Sequence, residues 1–371
     1  MVRAADDPPD AVRYGRMVTL LMPLLLLTGA AWILYRPGGG WLSLAGLLAA
    51  CTPMALFLAA SLSPSGLSAS AGIALTASLI GLTRPGGSGR AWMLLGVSSA
   101  MLALSHPTGL GWTVALLAGF VVVYGLRRSW RLVRNQLGVA WPGLSLVAIS
   151  LVAALVWTLN YGTAAVELRG LHSALGQVPG NYWDFTRQLV GVFGYLEFRL
   201  PRPVYLMWLC SVGALVLAGI SAGSPRERKV IALTAALAVA APVALWAVFG
   251  RAVGNGLTGR IFLPVMVALP MLCGEIVYRH RSELHRRTVA ALTPFLLLPG
   301  LVHFVAWYIN GRRSAVGVGG PLLFPLDAQW APPLGWLPWL IVALLGGLLL
   351  ASVPLARVPV AHGPGMRPRQ A

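Results

Sequence analysis

The residues best suited to chemistry in this chain are arginines that lie where apolar segments begin or end. Gly259 and Arg260 stand together at the start of one such segment. A planar guanidinium can bind a phosphate through two hydrogen bonds, and a glycine lets a ligand come close to the backbone. We therefore expect Arg260, helped by Arg251 or Arg199, to bind a lipid phosphate. The alternative for each arginine is that its side chain only extends to lipid headgroups.

Acidic residues are scarce, since Asp and Glu together number 10. A carboxylate would be needed to accept the proton of an attacking hydroxyl, and Asp184 and Glu197 are the only ones expected near Arg260. Glu275 is expected to pair with Arg279, four residues later on one helix. The apolar segments hold no Asp, Glu or Lys near the middle of the membrane, which argues against an ion-coupled transporter.

Histidine and cysteine give weaker signals. His106 is predicted at a break between two short helices and His303 within a span, and each is expected to be a hydrogen-bonded packing residue rather than a base. Cys51, Cys210 and Cys273 lie far apart in apolar segments and are expected to be small buried side chains. No metal-ligand spacing appears in the sequence, and no metal or cofactor is expected.

The composition indicates a membrane protein. Hydrophobic residues make up 57% of the chain and charged residues only 10%, and the mean hydropathy is +0.75. A soluble surface could not cover so much apolar material in 371 residues. The net charge of +18 would suggest nucleic acid in a soluble protein, but the basic residues here fall in short clusters between apolar segments. We expect membrane lipids as partners and no nucleic acid.

Eleven apolar segments between residues 17 and 355 predict an all-α, polytopic transmembrane bundle. Each is close to the roughly 20 residues that cross a bilayer. The third and the fourth are short, and either could be re-entrant. The eleven are Met17–Tyr35, Leu42–Ala60, Leu67–Leu82, Ala91–Leu104, Leu110–Leu126, Pro142–Leu159, Val204–Ala222, Val230–Phe249, Ile261–Tyr278, Val289–Ile309 and Trp336–Leu355.

Arginine-rich linkers predict the orientation of the spans. By the positive-inside rule three linkers face the cytoplasm, at residues 127–134, 226–229 and 279–287. Alternation from these linkers puts the basic tail 356–371 inside and the tail 1–16 outside, with no earlier span to carry the latter across. An upstream helix that is missing is one explanation. The outside position of the tail would also be explained by a short, charge-balanced tail that crosses the membrane unaided, or by one short segment that does not cross.

Three loops predicted on the outer side carry most of the polar residues, at 160–203, 251–260 and 310–335. Long loops at a membrane surface are usually functional. Within the first loop, Asn181–Val190 has aromatic and aliphatic side chains at helical spacing, which predicts an amphipathic helix lying in the interface. The alternative is that this helix only caps the bundle.

Several short motifs recur in the order found in a known family. They are Thr52-Pro53-Met54 with SLSPSGL at 61–67, VFGYLE at 192–197 with Leu200-Pro201, Gly259-Arg260 with Pro264, and WAPPLG at 330–335. The chain resembles an uncharacterised family of bacterial, especially actinobacterial, multi-pass membrane proteins (DUF2142-type). That family is itself similar to the GT-C class of lipid-linked sugar transferases. The resemblance covers nearly all of the chain.

The resemblance implies a GT-C-like bundle with an outward-facing site, a polyprenyl-phosphate sugar as donor, and inversion at the sugar carbon. It also implies an N-terminal helix and a first outer loop with an acidic residue, both of which this chain would lack. The three N-terminal aspartates are then either a remnant of that loop or an acidic tail. Family members commonly have Asn, Glu and Tyr where this chain has Ser63, Ser68 and Ile261.

The function that the resemblance implies is sugar transfer to an envelope glycan on the outer face of a bacterial plasma (inner) membrane, by an active, inactive or truncated form. Glu197 and Asp184 would be the candidate catalytic acceptors of the proton, and Arg260, Arg251 and Arg199 would hold the lipid phosphate. The competing interpretation is a non-enzymatic scaffold or lipid-binding protein. A facilitator that flips a lipid-linked precursor is a third, although few polar residues are available to line its path. The sugar, the acceptor, the protein partners and the oligomeric state do not follow from the sequence.

Overall fold

The architecture comes from a computed structural model, which describes residues 8–84, 89–161, 182–194, 196–249, 258–326 and 328–355. The first eight helices are α1 (Pro8–Leu34), α2 (Ala45–Ala50), α3 (Pro53–Ala59), α4 (Pro64–Thr83), α5 (Gly89–Ser105), α6 (Gly109–Tyr124), α7 (Leu126–Asn135) and α8 (Leu137–Tyr161). The others are α9 (182–191), α10 (Arg202–Ala222), α11 (Pro225–Phe249), α12 (Leu263–Met266), α13 (Ala268–Arg279), α14 (Arg286–Val316) and α15 (Trp336–Ser352). Short 3-10 helices cover Pro37–Leu44, Gly259–Phe262 and Val353–Leu355.

The prediction of an all-α, polytopic membrane bundle is confirmed. Among the described residues, 8 helices are long and apolar enough to cross a membrane, or up to 10 spans if each of two bent helix pairs counts as one. The remaining predicted segment is the fourth, Ala91–Leu104, which was expected to be short and lies in α5, a helix of 17 residues. It falls short of the roughly 20 residues that a crossing takes.

The second predicted span, Leu42–Ala60, is not one continuous helix. Its two helical pieces meet at an angle of 72°. Pro53 has no N–H with which to continue a helix, so a new helix begins there. The hydroxyl of Thr52 caps this new helix by accepting the N–H of Ala55 at 3.1 Å. The second predicted span therefore contains a break that was not predicted, whereas the third, expected to be short, is a full helix of 20 residues.

The break leaves a backbone carbonyl inside the bundle, and a histidine satisfies it. Nε2 of His303 lies 2.9 Å from the carbonyl oxygen of Cys51. The piece before the break belongs to the same buried cluster as Ile276 near the end of α13. In the piece after it, the ring of Phe57 is tilted against that of Phe193, which precedes α10, with centroids 4.9 Å apart. The segment therefore crosses the bundle as a broken helix.

Helix α4 forms the centre of the bundle, because 83% of its most apolar 18-residue stretch is buried. Small residues let its neighbours approach closely. A Cβ added at Gly72 would lie 2.5 Å from Cα of Pro264, so the 259–279 segment packs directly on the α4 backbone. Helices α1 and α5 pack on its other sides. This core holds the segment that carries Arg260.

The three arginine-rich linkers lie at one end of the bundle, which we call the basic end. Arg226 in the second linker donates to the carbonyl of Val123, just before the first linker, at 3.5 Å. Nε2 of His280 in the third linker lies 3.0 Å from Oε2 of Glu227 in the second. Contacts of this kind are what linkers on one side of a membrane would make. Which side is cytoplasmic stays a prediction.

Helix α1 ends at the basic end. Nη1 of Arg84 donates to the carbonyl of Leu34 at 2.6 Å, and Arg84 also pairs with Glu275, which pairs with Arg279 of the third linker. The other end of α1 is where Gly15 packs against Leu62, just before α4 begins. The helix thus starts at the end opposite the three linkers, as the predicted alternation requires. The tail residues 1–7 and the basic tail 356–371 lie outside the described residues.

The first basic linker folds as a short helix. The chain bends by 102° between α6 and α7, and Gly125 at the corner has a φ of +100°, which favours glycine. In α7 the helical spacing puts Leu126 and Trp130 on one face and Arg131 and Arg134 towards another. The linker expected only as an orientation signal is therefore an amphipathic helix lying across the end of α6.

The predicted outer loop 160–203 contains, besides α9, a two-stranded antiparallel hairpin. Strand β1 (Val192–Phe193) pairs with β2 (Phe198–Arg199). The hydroxyl of Tyr205 in α10 donates to the carbonyl of Gly191 at 2.7 Å and accepts the N–H of Leu200 at 2.9 Å, which joins the hairpin to α10. The predicted outer loop 310–335 begins later than expected, because α14 continues to its end at residue 316.

Candidate functional site

Helix α9 lies directly against the segment that carries Arg260. The side-chain oxygen of Gln188 accepts the backbone N–H of Gly259 at 2.6 Å. The ring of Phe185 meets the ring of Phe262 edge to face, with centroids 5.1 Å apart. The expected helix over 181–190 is therefore present from residue 182, and it covers this end of the bundle. We call this the Arg260 end.

Arg260 is half-buried and lacks an acidic partner within the described part of the chain. Its Nε donates to the hydroxyl of Thr258 at 3.2 Å. Neither terminal nitrogen, Nη1 or Nη2, has a hydrogen bond or ion pair to any described residue. A half-buried guanidinium with two nitrogens free for bonding is suited to an anion, because its donors have been partly removed from water.

His106, between α5 and α6, is close enough to Arg260 to be affected by its charge. Burial lowers the pKa of His106 below its ordinary 6.5, and the positive charge of Arg260 lowers this pKa further. The imidazole is therefore neutral at pH 7. Its Nδ1 accepts the backbone N–H of Thr108 at 3.2 Å, with the Thr108 hydroxyl also 2.8 Å away. The proton of the neutral ring then belongs on Nε2, which makes Nε2 a donor.

Trp112, in the first turns of α6, belongs to the same region. Its ring is tilted against that of Phe262, two residues after Arg260, with centroids 5.3 Å apart. Its indole N–H is buried and has no acceptor among the described residues. A buried N–H without a partner is uncommon in proteins and needs an explanation. We refer to Arg260, His106 and Trp112 as the Arg260 cluster, in which each member is a hydrogen-bond donor.

The two candidate bases do not have free carboxylates. Asp184 in α9 pairs with Arg187, three residues later, and its Oδ1 lies 3.8 Å from Nη2 of Arg199. Glu197 at the tip of the hairpin lies 3.3 Å from Nη2 of Arg313. Each carboxylate is engaged in an ion pair rather than open to an acceptor hydroxyl. These two assignments therefore stay predictions, with an ion pair as the observed role of each residue.

The lipid-phosphate residues expected from the sequence are only partly brought together. Arg199 is 60% exposed at its side chain and faces Asp184, whereas Arg260 bonds Thr258. No contact joins Arg199 to Arg260 across the described ranges. Arg251 lies outside the described residues. Of the three expected arginines, Arg260 is thus the one in the described part of the chain whose guanidinium has no carboxylate partner.

Three residues of this end were not assigned to the site from the sequence. His106 and Trp112 precede Arg260 by about 150 positions, and nothing in their spacing indicates that contact. The position of Arg187 beside Trp183 and Asp184 could have been predicted, because the three residues share helical spacing. The guanidinium of Arg187 lies 5.7 Å from the ring centroid of Trp183, and its Nε is buried without a partner among described residues.

Metal chemistry finds no support in the described residues, where no three His, Cys, Asp or Glu side chains come close enough to hold an ion. What the Arg260 cluster can do is bind an anion by charge-assisted hydrogen bonds.

A family model described as "Predicted membrane protein (DUF2142)" matches residues 4–269, which is more than half of the 371 residues. No curated protein and no solved structure matches the chain.

Proposed function

The chain belongs to the DUF2142 family of predicted membrane proteins, and we propose that it binds the phosphate of a polyprenyl-phosphate-linked sugar at the Arg260 end. The observation that carries this proposal is the half-buried guanidinium of Arg260, whose terminal nitrogens have no partner among the described residues. A lipid-linked phosphate would supply those partners. We further propose the bacterial plasma (inner) membrane as its location and the outer face as the side of this site.

The chemistry of the neighbouring residues suits a phosphate. A neutral His106 with its proton on Nε2 donates a hydrogen bond without adding charge, and the indole N–H of Trp112 is a second neutral donor. Arg260 supplies the positive charge. A site that combines one cation with neutral donors suits a phosphodiester, which carries a single negative charge.

The position of the cluster suits a lipid. Arg260 is the second residue of the 21-residue candidate span Gly259–Arg279, and in a membrane its guanidinium would meet the headgroups at the edge of the hydrocarbon. Helix α9 covers this point with an aromatic side chain, Phe185, packed on Phe262. A phosphate bound here would have its isoprenoid chain beside the bundle and its sugar towards the loop region.

Sugar transfer to a hydroxyl acceptor is the second candidate function. It is favoured by the position of Asp184, one helical turn before the Gln188 side chain that holds the Gly259 backbone. In that reaction the acceptor hydroxyl would give its proton to Asp184 as its oxygen bonds the sugar carbon. The bond from that carbon to the phosphate oxygen would break, and Arg260 would hold the departing phosphate. Phosphate binding has the stronger support, because Asp184 is ion-paired with Arg187.

Binding is tested with a polyprenyl-phosphate-linked sugar, the proposed phosphodiester ligand, added to the purified protein in detergent micelles. We expect Arg260→Ala to lose about 2 kcal/mol of binding free energy, or roughly thirtyfold in affinity, since bonds to charged groups contribute about 1.5 to 3 kcal/mol. The matched control is Arg202→Ala, which removes an exposed arginine at the same end. Equal affinity in the Arg260 variant and the wild type would sink the assignment.

Transfer is tested separately, by the release of polyprenyl phosphate from a polyprenyl-phosphate sugar and by the envelope sugars of a deletion strain. A transferase would release the lipid, and its deletion strain would lack an envelope sugar that the wild type restores and Arg260→Ala does not. Asp184→Asn should then abolish release while lipid binding remains. Tight binding without release, and an unchanged envelope, would leave the lipid-binding function and remove the transferase.

A further inference from the structure

A groove between α1 and α5 is a second candidate lipid site, and its charged residues lie at the basic end of the bundle, opposite the Arg260 end. Two adjoining cavities of about 640 and 630 Å³ lie along α1 and α5 and share four lining residues, which are Thr28, Trp32, Ile33 and Arg90. Together they form one groove. It opens towards the surroundings, because Trp32 is 65% exposed and Met93 is 45% exposed.

The groove has a basic head. Arg36 and Arg90 both line the cavity nearer the basic end. The guanidinium of Arg90 lies 5.5 Å from the ring centroid of Trp32, and neither arginine pairs with a carboxylate of the described chain. Arg36 precedes a 3-10 helix, but its side chain makes no capping bond there. Two cations without protein partners at one cavity favour an anionic occupant.

The rest of the groove is an apolar trough. Its lining continues from Arg90 along α5 through Leu94 and Val97 to Met101, and along α1 through Leu25. The floor is set where α1 touches α5, since a Cβ at Gly29 would lie 3.1 Å from Cδ1 of Leu94. Met101 lies eleven positions after Arg90 in α5, a rise of about 17 Å. Half of the hydrocarbon core of a bilayer is about 15 Å thick.

We propose that this groove binds an anionic glycerophospholipid of the leaflet at the basic end, with its phosphate between Arg36 and Arg90 and one acyl chain in the trough. The charge of the head selects the phosphate, and the length of the trough matches one leaflet. This site is independent of the function proposed above, because its two arginines lie at the opposite end of the bundle and none of its lining residues belongs to the Arg260 cluster.

The first test counts bound lipids by native mass spectrometry of the purified protein with phosphatidylglycerol or phosphatidylcholine. We expect tight, preferential retention of phosphatidylglycerol. Arg36→Gln with Arg90→Gln should lower its affinity roughly thirtyfold, since each arginine near a membrane surface contributes about fivefold. The matched control is Arg131→Gln with Arg134→Gln, which removes the same charge from α7 at the same end, where neither residue lines the groove. Equal losses in both double variants, or equal binding of the two lipids, would overturn the proposal.

The second test fills the trough without changing any charge. Val97→Trp should reduce phosphatidylglycerol retention at least tenfold, whereas Val122→Trp, at an exposed position on α6 outside the groove, should leave it unchanged. Thermal unfolding of both variants checks that they fold. The lipid assignment would be contradicted if the wild type had the mass of a dimer and Val97→Trp had the mass of a monomer. That result would show that a second copy of the chain occupies the groove.

Discussion

The guanidinium of Arg84 donates to both carboxylate oxygens of Glu275, although the two residues are 191 positions apart. Nε of Arg84 lies 3.2 Å from Oε1 and 3.1 Å from Oε2, and the two side chains are only 5% and 4% exposed. Arg84 also holds the last turn of α1, and Glu275 accepts a bond from Arg279 at 2.8 Å, as the helical spacing predicted. The pair of Arg84 and Glu275 therefore joins the ends of α1, α4 and α13.

Removing this carboxylate charge should destabilise the bundle. We expect Glu275→Gln to cost about 3 to 5 kcal/mol, because breaking a buried ion pair leaves an uncompensated guanidinium. Unfolding in mixed micelles, followed by circular dichroism, measures the change. Glu283→Gln is the control, since that side chain is 75% exposed and should cost under about 1 kcal/mol. Similar values for the two variants would contradict a stabilising role for Glu275.

The contact between α9 and the Arg260 segment depends on the absence of a side chain at Gly259. A Cβ there would lie 2.5 Å from the carbonyl oxygen of Phe185, so Gly259→Ala should displace α9. We expect faster hydrogen exchange in α9 and at least tenfold weaker polyprenyl-phosphate binding. Gly213→Ala in α10 has open space around it and should change neither. Unaltered exchange in the Gly259 variant would show that α9 does not rest on this segment.

The titration of His106 should make the folded state less stable in acid. Burial, and then the charge of Arg260, lower the pKa of this histidine below 6.5 in the folded state. The unfolded chain therefore binds the proton first as the pH falls. The contribution of His106 is present above about pH 6.5 and is lost as the pH falls through its lowered pKa. Thermal unfolding of the wild type and of His106→Gln between pH 8 and 5 should converge in the acid range, and parallel curves would refute this.

His280 should have the opposite pH dependence. The hydrogen bond to Glu227 raises the pKa of His280 above 6.5, opposed by burial and assisted by Glu283. Its stabilising contribution is present below about pH 6.5 and is lost as the pH rises through the raised pKa. The stability difference between the wild type and Glu227→Gln should therefore be larger at pH 6 than at pH 9, by under about 1 kcal/mol at this partly exposed pair. A difference that grows with pH would show that the pair does not act in this way.

Apolar length and helical spacing were enough to predict most of the fold. Helices α4 and α9 appear where the sequence placed them, because both signals depend on neighbours within a few turns. The break before α3 was also readable, since Thr52 followed by Pro53 is a helix start. It was missed because continuous hydrophobicity over Leu42–Ala60 outweighed it. The hairpin of β1 and β2 was not predicted, since its strands have only two residues each.

The candidate site could be predicted less well than the fold, for a physical reason. Periodicity tells which face of a helix is apolar, but it does not tell which other helix covers that face. The pairing of Gln188 with Gly259 and the proximity of His106 to Arg260 both arise from packing between distant segments. The ion pairs of Asp184 and Glu197 depend on Arg199 and Arg313, whose positions require the hairpin and α14. Residue type alone had indicated Arg260, and its lack of partners is a property of the folded chain.

The gathering of all three basic linkers at one end matters during biogenesis as well as in the finished protein. Such a chain enters the membrane segment by segment. By the positive-inside rule, each basic linker favours the same orientation of its neighbouring spans as the other two linkers do. If the positive-inside prediction holds, neutralising one linker would leave two that favour the same orientation. The orientation of the bundle would then be encoded redundantly.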